Sequence, residues 1–162
     1  MDAKLKQRIK VYAIAIAIPL AVGILSALIT MNDMQIYGEV RVPPLAPPAI
    51  LFPIVWTVLY VLMGVSSGMI WLRREQHPTD ARQGLVYYAI SLVFNFAWSI
   101  FFFQLRLFLF SFFWLLALLY LIIRTILSYD KVYSTAAYLQ IPYLFWVSFA
   151  GYLNFAIWFL NR

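Results

Sequence analysis

Residues 50–72 read ILFPIVWTVLYVLMGVSSGMIWL, a run without a single Asp, Glu, Lys, Arg or His. At ~1.5 Å per residue, about 20 helical residues cross the ~30 Å hydrocarbon layer of a bilayer. The run is long enough to do so. It lacks the apolar-polar alternation of a barrel strand, whereas a helix meets its backbone hydrogen bonds within the segment, as hydrocarbon demands.

Four similar runs lie around it, at 11–30, 84–103, 107–128 and 134–160. The sequence therefore predicts an all-α integral membrane bundle of five transmembrane helices, one domain over residues 1–162. Of the 162 residues, 65% are hydrophobic, 19% aromatic and 11% charged, whereas soluble domains are near half apolar and a quarter charged. So much Leu, Ile, Val and Phe also excludes intrinsic disorder. With no cysteine in the chain, disulfides, thiolate nucleophiles and Cys-ligated metals are excluded together. The first run is longer than a signal-peptide core and ends in Thr30-Met31-Asn32-Asp33. That is a poor cleavage site, so the run reads as a retained span.

A net charge of +6 suggests an anionic partner until the basic residues are located. Lys4, Lys6, Arg8 and Lys10 precede the first run, Arg73, Arg74 and Arg82 lie between the second and third, and Arg124 and Lys131 border the gap after the fourth. Only Arg41, Arg106 and Arg162 fall on the other side. This asymmetry sets membrane orientation, N-terminus in and C-terminus out, rather than a nucleic-acid-binding face. The longest outer loop is then 31–48, where Pro43, Pro44, Pro47 and Pro48 exclude regular helix and favour a semi-rigid cover.

The spans hold no Asp or Glu, which argues against a proton-coupled carrier of the ordinary kind. His77, in the inner loop, reads as a solvated side chain. Ser66, Ser67, Tyr88, Asn95, Ser99, Tyr143, Ser148 and Asn154 must find partners across helices. Gly64-Val65-Ser66-Ser67-Gly68 is a GxxxG pattern that permits close helix approach. Aromatic residues fall at helical spacing on three spans: Phe52, Trp56 and Tyr60; then Asn95, Trp98, Ser99 and Phe102; then Trp146, Phe149, Ala150, Leu153 and Asn154. In the predicted orientation all three stripes lie in the outer half, beneath the Pro-rich loop. They predict a mostly apolar, ring-lined cavity with one or two amides, suited to a large flat hydrophobic ligand.

The segments PPLAPP (43–48), FPIVWTVLY (52–60), FNFAWSIFFF (94–103) and PYLFWVSFAGYLNFAIWFLN (142–161), in that order, resemble the TspO/MBR family. It comprises the tryptophan-rich sensory proteins and the mitochondrial translocator proteins, also called peripheral benzodiazepine receptors. The resemblance implies a five-helix bundle, commonly a homodimer, that binds porphyrins such as protoporphyrin IX with no obligatory cofactor and no metal site. In mitochondrial members it also implies cholesterol and synthetic ligands. It places the pocket among the first, second, third and fifth spans.

Carried over by motif, the ligand-binding residues are Gly23, Pro47, Phe52, Trp56, Tyr60, Asn95, Phe101, Trp146, Phe149, Ala150 and Leu153, with Trp98 added from the spacing above. Trp56 and Trp146 match the pair implicated in porphyrin binding and in a light- and oxygen-dependent porphyrin breakdown. They are the catalytic candidates if that reaction occurs. The chain departs from the family at Leu45 and at Ala49-Ile50, where members carry loop tryptophans. It departs again at Phe155, where the sterol motif of mitochondrial members needs Tyr, so sterol is discounted as the native ligand. The expected role is a tetrapyrrole sensor, scavenger or regulator in a bacterial cytoplasmic membrane, or in a mitochondrial outer membrane for a eukaryotic source. Photo-oxidative porphyrin degradation and passive transport of apolar cargo are the alternatives. No acid-base pair or nucleophile supports conventional catalysis.

Overall fold

In a computed structural model, which describes residues 2–33 and 35–162, the apolar runs become helices that differ from the sequence reading mainly at their ends. Helix α1 covers Ala3–Thr30, α2 Ile36–Glu39, α3 Leu51–Trp71, α4 Pro78–Ser99, α5 Phe108–Asp130 and α6 Ser134–Leu160. A π-helical turn, Ile100–Gln104, extends α4. Five helices are long and apolar enough to cross a membrane, and no strand occurs among the described residues.

Helix α1 starts well before its apolar run because the Asp2 carboxylate caps it, accepting a hydrogen bond from the Lys4 backbone N–H at 3.4 Å. The following lysines are good helix formers. Helix α4 likewise begins in polar sequence, with Pro78 at its first position, where a missing N–H costs nothing. The Pro-rich loop contains the single turn α2 ahead of its prolines.

The helices close into a ring in the order α1, α3, α6, α5, α4. Helix α1 is the most peripheral, with only Pro19, Ser26 and Thr30 buried. Its seam with α3 depends on two glycines: a Cβ at Gly64 would run into the Ile16 backbone, and one at Gly68 would lie 2.7 Å from the Tyr12 ring. The GxxxG pattern is thus consumed inside the chain. Away from the loop end, Ser66 Oγ donates to the Ala136 carbonyl at 2.7 Å and accepts from Gln140 Nε2 at 3.1 Å. Ser67 and the Tyr129 hydroxyl share a hydrogen bond of 3.0 Å. These bonds tie α3 to α5 and α6 where no water competes. Ser148, by contrast, faces outward and donates only to the Leu144 carbonyl of its own helix.

The C-termini of α1, α4 and α6 and the N-termini of α3 and α5 share one end with α2. Three contacts anchor the segment between α1 and α3 there. Glu39 pairs with Arg106 at 2.8 Å, and Asn161 both accepts from the Arg41 N–H and donates to the Arg41 carbonyl, each at 2.9 Å. Arg106 takes φ 52° to turn the chain from the π segment into α5, a left-handed conformation uncommon outside glycine. His77 is exposed, as expected, at the N-cap of α4.

Candidate functional site

Beneath α2 lies a cavity of about 330 Å³ walled by α1, α3 and α4, at the lower end of the usual range for ligand sites. Leu20, Gly23, Ile24 and Ala27 of α1 face Phe52, Trp56 and Tyr60 of α3 and Asn95, Trp98 and Phe103 of the α4 segment, with Tyr37 at the loop end. Gly23 is needed because Tyr60 lies against α1, and a Cβ there would run into the Tyr60 ring. Exposed Ile24, Ala27, Pro53 and Thr57 form a rim between α1 and α3.

The wall is built of rings. Trp56 stacks on Tyr60 with centroids 5.4 Å apart, Trp98 stacks on Phe102 at 5.3 Å, and Tyr37 packs on Phe52 at 5.4 Å. Burial pushes the Tyr37 phenol up to about 12, because its anion would lose hydration.

The main polar group is Asn95. Its Oδ1 accepts from the Tyr60 hydroxyl at 3.3 Å, and its Nδ2 donates to the Tyr143 hydroxyl at 3.0 Å. An amide NH₂ has two hydrogens, and only one is bonded to a partner among the described residues. The Thr30 and Thr57 hydroxyls are turned back onto the Ser26 and Pro53 carbonyls of their own helices, and Trp98 Nε1 is spent on Asn154 Oδ1 at 3.1 Å. Among the described residues, the lining contains no His, Cys or charged side chain.

Of the twelve candidate positions, Gly23, Phe52, Trp56, Tyr60, Asn95 and Trp98 come together around this cavity. Trp146 and Phe149 line a different feature, a groove of about 480 Å³ on the outer surface between α3 and α6. The reason is helical phase. The inward face of α6 is centred on Tyr143, Val147, Ala150 and Asn154, all buried, and at ~100° per residue Trp146 and Phe149 fall on its flank. Ala150 and Leu153 are buried in the bundle outside the cavity wall. Phe101 points toward α5, packing edge-on against Trp114 at 4.9 Å. Pro47 is partly buried in the loop and does not line the cavity. Trp146 packs edge-on against Phe52 at 5.8 Å and Trp56 edge-on against Tyr143 at 6.2 Å.

Sequence reasoning missed Tyr37, Phe103 and most of the α1 wall. The stripe Leu20, Gly23, Ile24 and Ala27 is legible at i, i+3, i+4 and i+7, but Tyr37 sits in a loop and carries no periodic signal.

Fold and site together define a multi-pass helical membrane protein with a ring-lined cavity near one surface. Residues 15–159 match the TspO/MBR family. The Tryptophan-rich protein TspO of Chlorobaculum tepidum is 35% identical over 158 residues, 97% of this chain and 99% of that protein. The protein of the same name from Archaeoglobus fulgidus is 37% identical over 143 residues, 88% and 91% of the two chains. The Translocator protein of Bos taurus is 33% identical over 141 residues, 86% and 83%. The chain belongs to the TspO/MBR family.

Proposed function

We propose that this protein binds a porphyrin-type tetrapyrrole in the cavity beneath α2 and acts as a membrane sensor or scavenger of that ligand. The observation that carries the reading is the convergence of Phe52, Trp56, Tyr60 and Trp98 on one space beside the Asn95 amide. Flat rings offer dispersion and stacking to a flat guest, and the amide offers one directional hydrogen bond. Because the lining supplies no imidazole, thiolate or thioether among the described residues, iron gains no strong axial ligand from them. Metal-free porphyrin therefore binds at least as tightly as haem.

The reading includes the N-terminus-in orientation, supported by the basic residues gathered at the end opposite α2, and a bacterial cytoplasmic membrane as the location. It also includes homodimerisation, which uses a surface other than Gly64 and Gly68, since these pack against α1.

Titrating the purified protein with protoporphyrin IX and with haem, following the Soret band and tryptophan quenching, tests it. Saturable micromolar binding of both with no preference for iron is expected. Absence of saturation, or a tenfold preference for haem, overturns it.

A further inference from the structure

At the end opposite α2, a groove of about 470 Å³ runs over the surface between the C-terminus of α3 and the first turns of α4, lined by Trp71, Arg74, Pro78, Arg82, Leu85, Val86 and Ala89. It is separate from the cavity and owes nothing to the tetrapyrrole reading. Its residues are sorted by depth. Arg74 and Arg82 lie at the helix ends, whereas Leu85, Val86 and Ala89 follow along α4, Ala89 about 10 Å beyond Arg82 at ~1.5 Å per residue. Trp71 and Val86 are 47% and 49% exposed, so the groove opens on the outside of the bundle.

The two arginines are weakly neutralised. Arg74 is held by Trp71, its guanidinium carbon 4.4 Å from the ring centroid and its Nη1 donating to the Trp71 carbonyl at 2.7 Å. Its only carboxylate neighbour is Glu75, at 3.6 Å and with a side chain 87% exposed. Arg82 has no carboxylate within 4.0 Å among the described residues, because the nearby Asp80 is taken by Lys131 at 3.6 Å. The remaining basic residues of this end, Lys4 to Lys10, Arg73, Arg124 and Lys131, add to a positive field.

We propose that this groove is a binding site for an anionic glycerophospholipid of the leaflet in contact with the basic end. Arg74 and Arg82 hold the phosphate, Trp71 lies at the level of the glycerol and ester carbonyls, and an acyl chain runs along Leu85, Val86 and Ala89. Guanidinium forks match phosphate oxygens, Trp favours the interfacial layer, and basic pockets between spans at the cytoplasmic side suit anionic headgroups. A free phosphate would leave the apolar half of the groove unused, which makes the lipid the better match.

Thermal unfolding of the detergent-solubilised protein, titrated with phosphatidylglycerol, phosphatidylcholine or inorganic phosphate, provides the test, since a ligand of the folded state raises the midpoint saturably. Phosphatidylglycerol is expected to raise it, with the R74Q/R82Q double variant needing at least tenfold more lipid for half the effect. Val86→Trp, at an exposed position, fills the groove with both charges intact and is expected to abolish the shift. K4Q/K6Q, which removes charge elsewhere at the same end, is expected to keep it. An equal shift with phosphatidylcholine or inorganic phosphate, or an unchanged response in both R74Q/R82Q and V86W, overturns the site.

Discussion

Trp146 meets Phe52 edge-on, ring centroids 5.8 Å apart, and so stands one ring behind the cavity that Phe52 and Trp56 line. Two indoles that the sequence offers as equivalent are therefore different in kind. Trp56 can touch a guest in the cavity, whereas Trp146 supports a residue that does.

Removing them separately should expose this difference. Trp56→Ala takes away part of the wall and is expected to cost porphyrin binding about 1.5 to 3 kcal/mol, roughly ten- to a hundredfold in affinity. Trp146→Ala is expected to weaken it less than about threefold, below 1 kcal/mol. A Soret titration of both variants checks this, and equal losses would mean that the guest reaches the groove between α3 and α6.

Asn95 joins three helices through Tyr60 and Tyr143. Asn95→Leu keeps the bulk but removes the bonds the amide makes to both phenolic hydroxyls, an expected loss of about 1–3 kcal/mol. Reversible unfolding by sodium dodecyl sulfate in bicelles measures it. A change within about 0.5 kcal/mol, the usual scatter for sites without a special role, would show that other groups replace the amide.

Two buried glycines should respond in opposite ways. Gly64→Val drives side-chain atoms into the Ile16 backbone, and an overpacked seam costs about 1–3 kcal/mol. At Gly151 a Cβ meets nothing within 4 Å, so Gly151→Ala gains up to about 1 kcal/mol of helix propensity. The same unfolding assay ranks the pair, and a stabilising Gly64→Val would contradict the close α1–α3 contact.

Tyr37 gives a pH signature outside the spans. Its phenol moves from 10.0 to about 12 on folding, so the unfolded chain ionises first as the solution becomes alkaline. The contribution of this group to stability is full below pH 10 and falls as pH rises toward 12, because its unfolded form then binds fewer protons than its folded one. Comparing Tyr37→Phe with the parent at pH 8, 10 and 11 isolates this group. The parent should lose stability relative to the variant only in the upper part of that range, and parallel curves would place the phenol in water.

The spans were legible because hydrocarbon imposes a length and forbids charge, and 50–72 and 134–160 satisfy both over their whole extent. Half of the cavity was legible for a related reason: Phe52, Trp56 and Tyr60 recur at one helical spacing, and a stripe needs something to face. The side of α6 on which Trp146 lies was not legible, because an i, i+3, i+4, i+7 set covers a broad arc, and periodicity does not say which edge of the arc the neighbouring helix meets. Tyr37 was invisible because its position follows from the Glu39–Arg106 and Arg41–Asn161 contacts, which join residues far apart in the chain. The Arg74–Arg82 groove was hidden similarly, since the sequence counted those residues as orientation charges and gave no sign that they share a wall.

The π turn Ile100–Gln104 sets Phe101 toward Trp114 and Phe103 toward the cavity. Such a turn behaves like a single extra residue lodged in an α-helix. Excising a position inside it would be absorbed by a return to ordinary winding, whereas a deletion in the regular part of α4 would swing everything beyond it by ~100°, taking Arg106 away from Glu39 and Gln104 away from the Ile29 carbonyl it now bonds at 2.9 Å. Here the number of codons, as much as the amino acids they specify, is part of the molecule's information.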